Sequence, residues 1–496
     1  MKYRSTRGNI NKSLSSAAAV IQGLAPDSGL YVPIAFPRPD WKIGDLTGLK
    51  YQDIALKVLE LFFDDFSSEQ LKNIVDNAYG QQWDKAEIAP IAKHDHNYYL
   101  ELFHGPTLAF KDIALQVLPL LMTKAVKIEK IDRDIIILTA TSGDTGTASM
   151  DGFSDKNGTQ VIVFYPYGGI SPVQLKQMLS QRGKNLRVFA IKGNFDDAQT
   201  EVKRIFNDQV FNQRLQDNGF QFSSANSMNI GRLIPQIVYY LYSYSQLVAN
   251  KEIKLGEKIN YTVPTGNFGD ILAAYYAEKL GLPVNKLICA SNENNVLTDF
   301  FHTGKYNRDR AFHLTNAPAM DILVSSNLER LLFDLDDENA SEIAQWMKEL
   351  NQDGHYQVNE KVFAKMSQLF ASGFATQKEV KDEIKRIYEH DYYVIDPHTA
   401  VASYVTNCYQ KDTGDKTKTI IVSTASPYKF PETVLSALTG EKVEDQGLKA
   451  VTDLHAFLGG EMPSSVKLLF NEKAHAEKVI AIDEMKDIIS QNLNLK

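Results

Sequence analysis

The chain is predicted to be an α/β protein of two or three domains with parallel β-sheet at its centre. Three observations carry that reading. At 496 residues it is too long for one compact core. Between about 130 and 230, short β-rich runs alternate with helical stretches, as in successive βαβ units. Beyond 231 comes a helix, then a strand, a glycine turn and another helix.

The first 90 residues mix turns with helical patterns. Within 51–66, Ile54, Val58, Leu61 and Phe62 recur at helical spacing, and Asp53 is the expected N-cap. Strands are expected at 135–138, 161–165, 186–191 and 220–223, with helices at 173–179 and 198–206 between them. Right-handed crossovers gather the carboxyl ends of such strands on one edge, where ligands bind. An apolar, aromatic-rich helix follows at 233–247, then a strand at 258–263 and a helix at 271–280 closed by Gly281. Residues 325–390 are charged and mostly helical, and read as an insertion or outer layer. A last strand is expected at 419–423.

Composition excludes several functions. Apolar residues make up 44% and charged residues 23%, which is ordinary for a globular protein. The net charge is −8 and no dense basic run exists, so nucleic acid is not an expected partner. An anionic ligand must then be met locally, by amides and a few cations. Cys289 and Cys408 are too few and too far apart for a disulfide framework or metal site, and two reduced thiols suit the cytoplasm. No run reaches the eighteen or so apolar residues of a membrane helix, and no apolar region follows the basic residues at the start.

Four short segments carry chemistry. In GPTLAFKDIALQ (105–116), Lys111 opens a helical pattern. The positive field of a first helical turn lowers a lysine pKa, which suits Schiff-base chemistry. In TATSGDTGTAS (139–149), Ser142, Gly143, Thr145 and Gly146 form a strand-to-helix turn whose N–H groups suit a carboxylate or phosphate. In PTGNFGD (264–270), Gly266 and Gly269 permit positive φ and a close ligand, and the next helix offers N–H groups to a monophosphate. In IIVSTASPYKFPE (420–432), Thr424 stands at a strand's carboxyl end. Taken singly, each segment also suits an ordinary turn or a solvated surface. Together they supply an amine, two anion turns and a polar strand end, the parts of a pyridoxal-phosphate (PLP) site.

At this point the chain resembles the threonine synthases of the PLP fold-type II group. Ten blocks match in the family's order: YRSTRG, GLAPDSGLYVP, ELFHGPTLAFKD, ATSGDTG, YPYGGISPVQLKQM, SSANSMNIGRLIPQ, PTGNFGD, ASNENN, MDILVSSNLERLLF and STASPYKFP. The resemblance implies two parallel-rich αβα sheet domains with an N-terminal extension. The extension is 1–90, the large PLP-binding domain 91–131 and 232–496 (325–390 inserted), and the small domain 132–231. It implies pyridoxal 5'-phosphate on Lys111 and a phosphate loop of Gly266, Asn267, Phe268, Gly269 and Asp270. Thr424 would bond the pyridine nitrogen. The turn Ser142, Gly143, Asp144, Thr145 and the segment Asn226, Ser227, Asn229, Arg232 would line the substrate pocket, the planar fork of Arg232 meeting one substrate anion.

The implied reaction converts O-phospho-L-homoserine and water to L-threonine and phosphate, in a cytoplasmic monomer or homodimer with neither nucleic-acid nor membrane partner. Gly169 and Asn295 depart from the family pattern, which often has a basic residue and an aspartate there. Two other readings stand beside this one. A lyase on the same scaffold would release 2-oxobutyrate and ammonia; the YRSTRG and GLYVP blocks favour the synthase. A homologue that binds without turnover would not need Lys111 and both anion turns intact.

Overall fold

The computed structural model describes residues 1–8, 13–444 and 447–495. Its strands form where β-branched runs meet turn residues. Ile135, Ile136, Ile137 and Leu138 are all fully buried, as a parallel strand covered on both faces requires. They belong to Asp134–Ala140, which pairs in parallel with Thr159–Pro166 on one side and Phe220–Ser223 on the other. Leu186–Ile191 adds to Thr159–Pro166. Helices Asp144–Phe153, Pro172–Ser180 and Phe195–Asn207 are the crossovers.

The fifth strand of this sheet is Val479–Ile480, which pairs in parallel with Leu186–Ile191. The expected partition placed 232–496 wholly in the large unit. The structure corrects it: apolar residues Ile480, Met485 and Ile489 are buried with Phe189 and Ile191, so the end of the chain closes the small sheet.

The second sheet has six strands, in the order Phe370–Phe374, Val284–Ser291, Ile259–Pro264, Thr419–Ser423, Asn97–Glu101 and Ile91–His94. All pairs are parallel except the last. Phe370–Phe374 lies within the stretch expected to be an outer insertion, so part of that stretch is an edge strand of the main sheet. The same stretch supplies Arg330, which is fully buried and donates to Tyr31 O (3.0 Å), Asn327 Oδ1 (2.5 Å) and Met228 O (2.6 Å). Two of these partners, Tyr31 and Met228, lie about 300 and 100 residues away in the chain, which makes this guanidinium a tie across the core.

The N-terminal part begins with the antiparallel strands Lys2–Ser5, Leu14–Ser15 and Tyr31–Pro33. Helix Tyr51–Phe62 buries Ile54, Val58, Leu59 and Phe62 and packs on helix Ile230–Ala249. Asp53 is not its N-cap. Lys50 is, and the Asp53 carboxylate accepts from the Lys50 backbone N–H at 3.3 Å, the far half of a capping box. Helix Ile230–Ala249 is buried nearly all round, as its apolar sequence dictates. It packs chiefly on helices Tyr51–Phe62 and Gly269–Lys279 and presents its first turns to the cleft through Arg232 and Gln236.

Candidate active site

The carboxyl ends of the central strands of both sheets open into one cleft with a cavity volume of about 290 Å³. Lys111 stands at its floor. The loop after strand Asn97–Glu101 is tacked to the segment after Thr419–Ser423: Phe110 N donates to Thr424 O (2.8 Å) and Ser426 N to Leu108 O (3.0 Å). That pairing sets Lys111 and Thr424 side by side. Asp112 anchors the loop from beneath, accepting from Thr107 N (2.8 Å) and Thr107 Oγ1 (2.6 Å).

The Lys111 side chain is 14% exposed, and its Nζ lies 3.6 Å from Asp144 Oδ2. Burial pulls its ammonium below the ordinary lysine range; Asp144 opposes that pull, and Arg232 and Lys429 add to it. Burial is therefore the leading cause of the lowered proton affinity of Lys111.

The 140–146 turn is folded around Thr141, whose Oγ1 accepts from Gly143 N (3.0 Å) and Gly146 N (2.9 Å). Gly143 needs to be glycine: its φ is +134°, and a Cβ would meet Gln174 at 2.5 Å. Ser142 and Thr145 line the cleft. Gly143 and Asp144 lie behind it. The Asp144 carboxylate accepts from Gln174 Nε2 (2.7 Å) and sits 3.1 Å from Lys429 Nζ. Burial alone would raise its pKa, but Lys429 and Lys111 hold it well below the usual carboxylate range.

The 264–270 turn differs from its sequence reading in one respect. The positive φ belongs to Phe268 (+64°), not to either glycine. Its ring packs near Phe301 and Phe370, with centroids 6.0 and 6.1 Å away, and this holds a conformation a bulky residue seldom adopts. Gly266 is required because a Cβ would lie 2.9 Å from Ala319 O. At Gly269 a Cβ would meet only Asn327 Nδ2 at 3.5 Å and Ser227 Cβ at 3.6 Å. Nothing in the chain excludes a side chain there, and the space it would fill is a cradle at the first N–H groups of helix Gly269–Lys279. Asn327 fixes the turn, with N and Nδ2 both donating to Asn267 O at 3.0 Å.

Asp270 lies in that first turn. Its Oδ1 accepts from the hydroxyls of Tyr239 and Tyr240. Burial pushes its carboxyl up to about 6, against the two tyrosine hydroxyls, which favour the ionised form. The turn thus offers amides to an anion while the Asp270 carboxylate is engaged by two tyrosine hydroxyls, and it fits a monophosphate. Gly266, Asn267, Phe268, Gly269, Asp270 and Thr424 all border the same cleft as Lys111, so the chain's donor set fits PLP.

Asn226, Ser227 and Arg232 also line the cleft. Arg232 is 2% exposed; Nη1 donates to Ala225 O (2.9 Å), and its buried Nε has no partner. Burial pulls this guanidinium down to about 10, so an incoming anion gains a poorly satisfied cation. Asn229 is not brought to the cleft. Its Nδ2 donates to Val20 O (2.9 Å) and Ser224 O (2.8 Å), and its Oδ1 caps helix Ile230–Ala249 through Gly231 N (2.9 Å). Those bonds occupy the amide and give it a structural task.

Sequence reasoning missed Lys429, Gln174 and His398. His398 is buried at the start of helix Pro397–Thr413; its Nδ1 is 2.6 Å from Asp396 Oδ2, and its Nε2 accepts from Ala319 N at 3.1 Å. It thereby holds the 317–320 segment against Gly266. The signal for the helix start, Asp-Pro, was legible, but not its approach to a loop nearly 80 residues away in the chain. Lys203 borders the cleft from helix Phe195–Asn207. Among the described residues no cluster of His, Cys, Asp and Glu could hold a metal ion.

The family model for the threonine synthase N terminus matches residues 2–79, and that for the threonine synthase C-terminal region matches 399–489. A threonine synthase of Saccharomyces cerevisiae is 38% identical over 467 residues, covering 88% of this chain and 89% of its own. The crystal structure of threonine synthase from yeast superposes with a TM-score of 0.87 at 35% identity, covering 99% of both chains. A crystal structure of PLP-bound threonine synthase from Brucella melitensis gives 0.86 at 34% identity, over 99% of this chain and 98% of that one.

Proposed function

Because the chain belongs to the threonine synthase family, we propose that it converts O-phospho-L-homoserine and water to L-threonine and phosphate with PLP on Lys111. The observation that carries this reading is the placement of a buried lysine whose affinity for a proton is lowered, at the floor of a cleft bordered by two anion-binding turns. The Gly266–Asp270 turn would hold the cofactor phosphate, and Thr424 the ring nitrogen. When bound, PLP supplies an electron sink that acidifies the substrate's Cα and Cβ hydrogens.

The chain's own residues do the rest. Lys111 Nζ, freed by exchange with the substrate amine, takes the proton from Cα and then one from Cβ. Asp144, 3.6 Å away, orients that amine. Arg232, Asn226 and Ser227, with Ser142 and Thr145 opposite, bind the substrate's anionic ends and aim Cγ–O so that phosphate leaves. Thr424 is a hydroxyl and does not fix positive charge on the ring nitrogen as a carboxylate would. Lys111 and the substrate phosphate therefore carry more of the proton traffic. A proton is then returned to Cγ to make the methyl group, water adds its hydroxyl at Cβ, a proton is returned to Cα, and threonine leaves.

The same reading gives a cytoplasmic monomer or homodimer, in line with two free cysteines; no described helix is long and apolar enough to cross a membrane. The test is to incubate the protein with PLP and O-phospho-L-homoserine and identify the product by mass. Threonine with one equivalent of phosphate is expected, and Lys111→Ala should abolish both turnover and Schiff-base absorbance. Phosphate with 2-oxobutyrate would move the function to the lyase; a Lys111→Ala protein with near-parental activity would overturn the cofactor assignment.

A further inference from the structure

A second lysine lies behind the first. Lys429, in the turn Pro427–Lys429, is fully buried. It does not border the cleft, so it touches neither substrate nor cofactor. Its Nζ donates to Thr107 O at 2.6 Å and lies 3.1 Å from Asp144 Oδ1. Lys111 Nζ lies 3.6 Å from the other oxygen of the same carboxylate. Two amines thus share one buried carboxylate.

We propose that Lys429 is a positioning residue that takes Asp144 as its own counter-ion and so leaves Lys111 as the amine that sheds its proton. The inference rests on the reading of Lys111 as the cofactor-bearing amine.

The argument is one of charge count. With both amines protonated and Asp144 ionised, the cluster carries one net positive charge in a buried setting. An uncompensated buried charge is expensive, and the least costly relief is to lose one proton. An ammonium has three donors and no acceptor. Lys429 has two oxygens to satisfy its donors, both nearer than the single carboxylate contact of Lys111. Lys111 also opens to the cleft and faces Arg232, an additional cation. The proton therefore stays on Lys429 and leaves Lys111.

The groups facing the pair are consistent with this. Asp144 comes from helix Asp144–Phe153, Arg232 from Ile230–Ala249 and Lys429 from the turn after the 419–423 strand. His398, from Pro397–Thr413, contributes to holding Asp144 ionised, and Gln174 donates to it. Lys203 and Asp321 border the cleft, and Asp112, next to Lys111, is turned to Thr107. Without Lys429, Asp144 has Lys111 as its remaining lysine partner and holds a proton on it.

The test uses full-length protein freed of cofactor and mixed with PLP across a pH series. The rate of Schiff-base absorbance growth, less that of Lys111→Ala, reports the fraction of Lys111 that is deprotonated. For Lys429→Met the midpoint of that profile should rise by about one pH unit or more, and Lys429→Arg should stay with the parent. A folded Lys429→Met protein with the parent's midpoint overturns the proposal. Should Lys429→Met not fold, the pair Lys429→Met with Asp144→Asn removes both charges together. Its midpoint is expected at or below the parent's, and a rise overturns the proposal. If the parent itself gains no absorbance above Lys111→Ala, the reading of Lys111 fails and takes this inference with it. Parental absorbance with an unmoved Lys429→Met midpoint, or with a raised midpoint in the double variant, sinks the Lys429 inference alone.

Discussion

Gly152→Ala sets local propensity against tertiary packing. In an isolated helix, alanine in place of glycine is favourable by about 1 kcal/mol. Gly152, however, lies near the end of helix Asp144–Phe153, where that helix crosses the end of Lys111–Leu115. A Cβ at Gly152 would stand 2.0 Å from Leu115 O, whereas ordinary contact begins at 3.4 Å. The two helices must part by most of that difference or distort. Overpacking of this kind costs about 1–3 kcal/mol, which cancels or exceeds the propensity gain. The effect on rate is larger. Asp144 and Lys111 begin these two helices and face each other at 3.6 Å. A displacement of about 1 Å in reacting geometry costs on the order of 100-fold in turnover. The assay is threonine formation under saturating substrate, with cofactor stoichiometry and the thermal midpoint measured alongside. A kcat about 100-fold down, with the midpoint unchanged or lowered, is expected. A raised midpoint with kcat within about threefold of the parent would refute the reasoning, since local propensity would then have prevailed.

Two further outcomes follow from the structure. Burial, with Asp151 nearby, pushes the Asp112 carboxyl from its ordinary 3.8 up to about 7, although Thr107 favours the ionised form. A folded pKa above the unfolded one means that its stabilising contribution is whole below about pH 4 and lost as pH rises through about 7. Urea midpoints at pH 5 and pH 8 should therefore show the parent losing more stability than Asp112→Asn over that interval, and the opposite trend contradicts the sign. The two glycines of the 264–270 turn, the proposed phosphate cradle, should behave differently. Gly269→Ala should leave the denaturation midpoint unchanged and weaken PLP binding by about tenfold or more, because only the ligand needs that space. Gly266→Ala should lower stability as well, through its 2.9 Å clash with Ala319 O. Equal stability losses for the two would remove the argument for a ligand-shaped cradle.

The sequence by itself determined the elements and the chemistry-bearing turns. Strands Leu186–Ile191, Phe220–Ser223 and Thr419–Ser423 stand where their β-rich runs begin and end. Period and turn chemistry are local properties, so they can be read along the chain. The same holds for Lys111, the 140–146 turn, the 264–270 turn and Thr424, each marked by residue types at a strand–helix junction. Tertiary structure decided which of these side chains meet and what surrounds them. It turned Asp144 away from the cleft onto two lysines, gave Asn229 to a helix cap, and placed the positive φ of the 264–270 turn on Phe268. It also drew Val479–Ile480 back to a strand nearly 300 residues earlier, buried Lys429 behind the site and brought His398 to its border. A lone lysine in a sequence reads as solvated. Its desolvation and its counter-ion depend on elements hundreds of residues away, and those long-range contacts set the proton affinity on which the proposed chemistry depends.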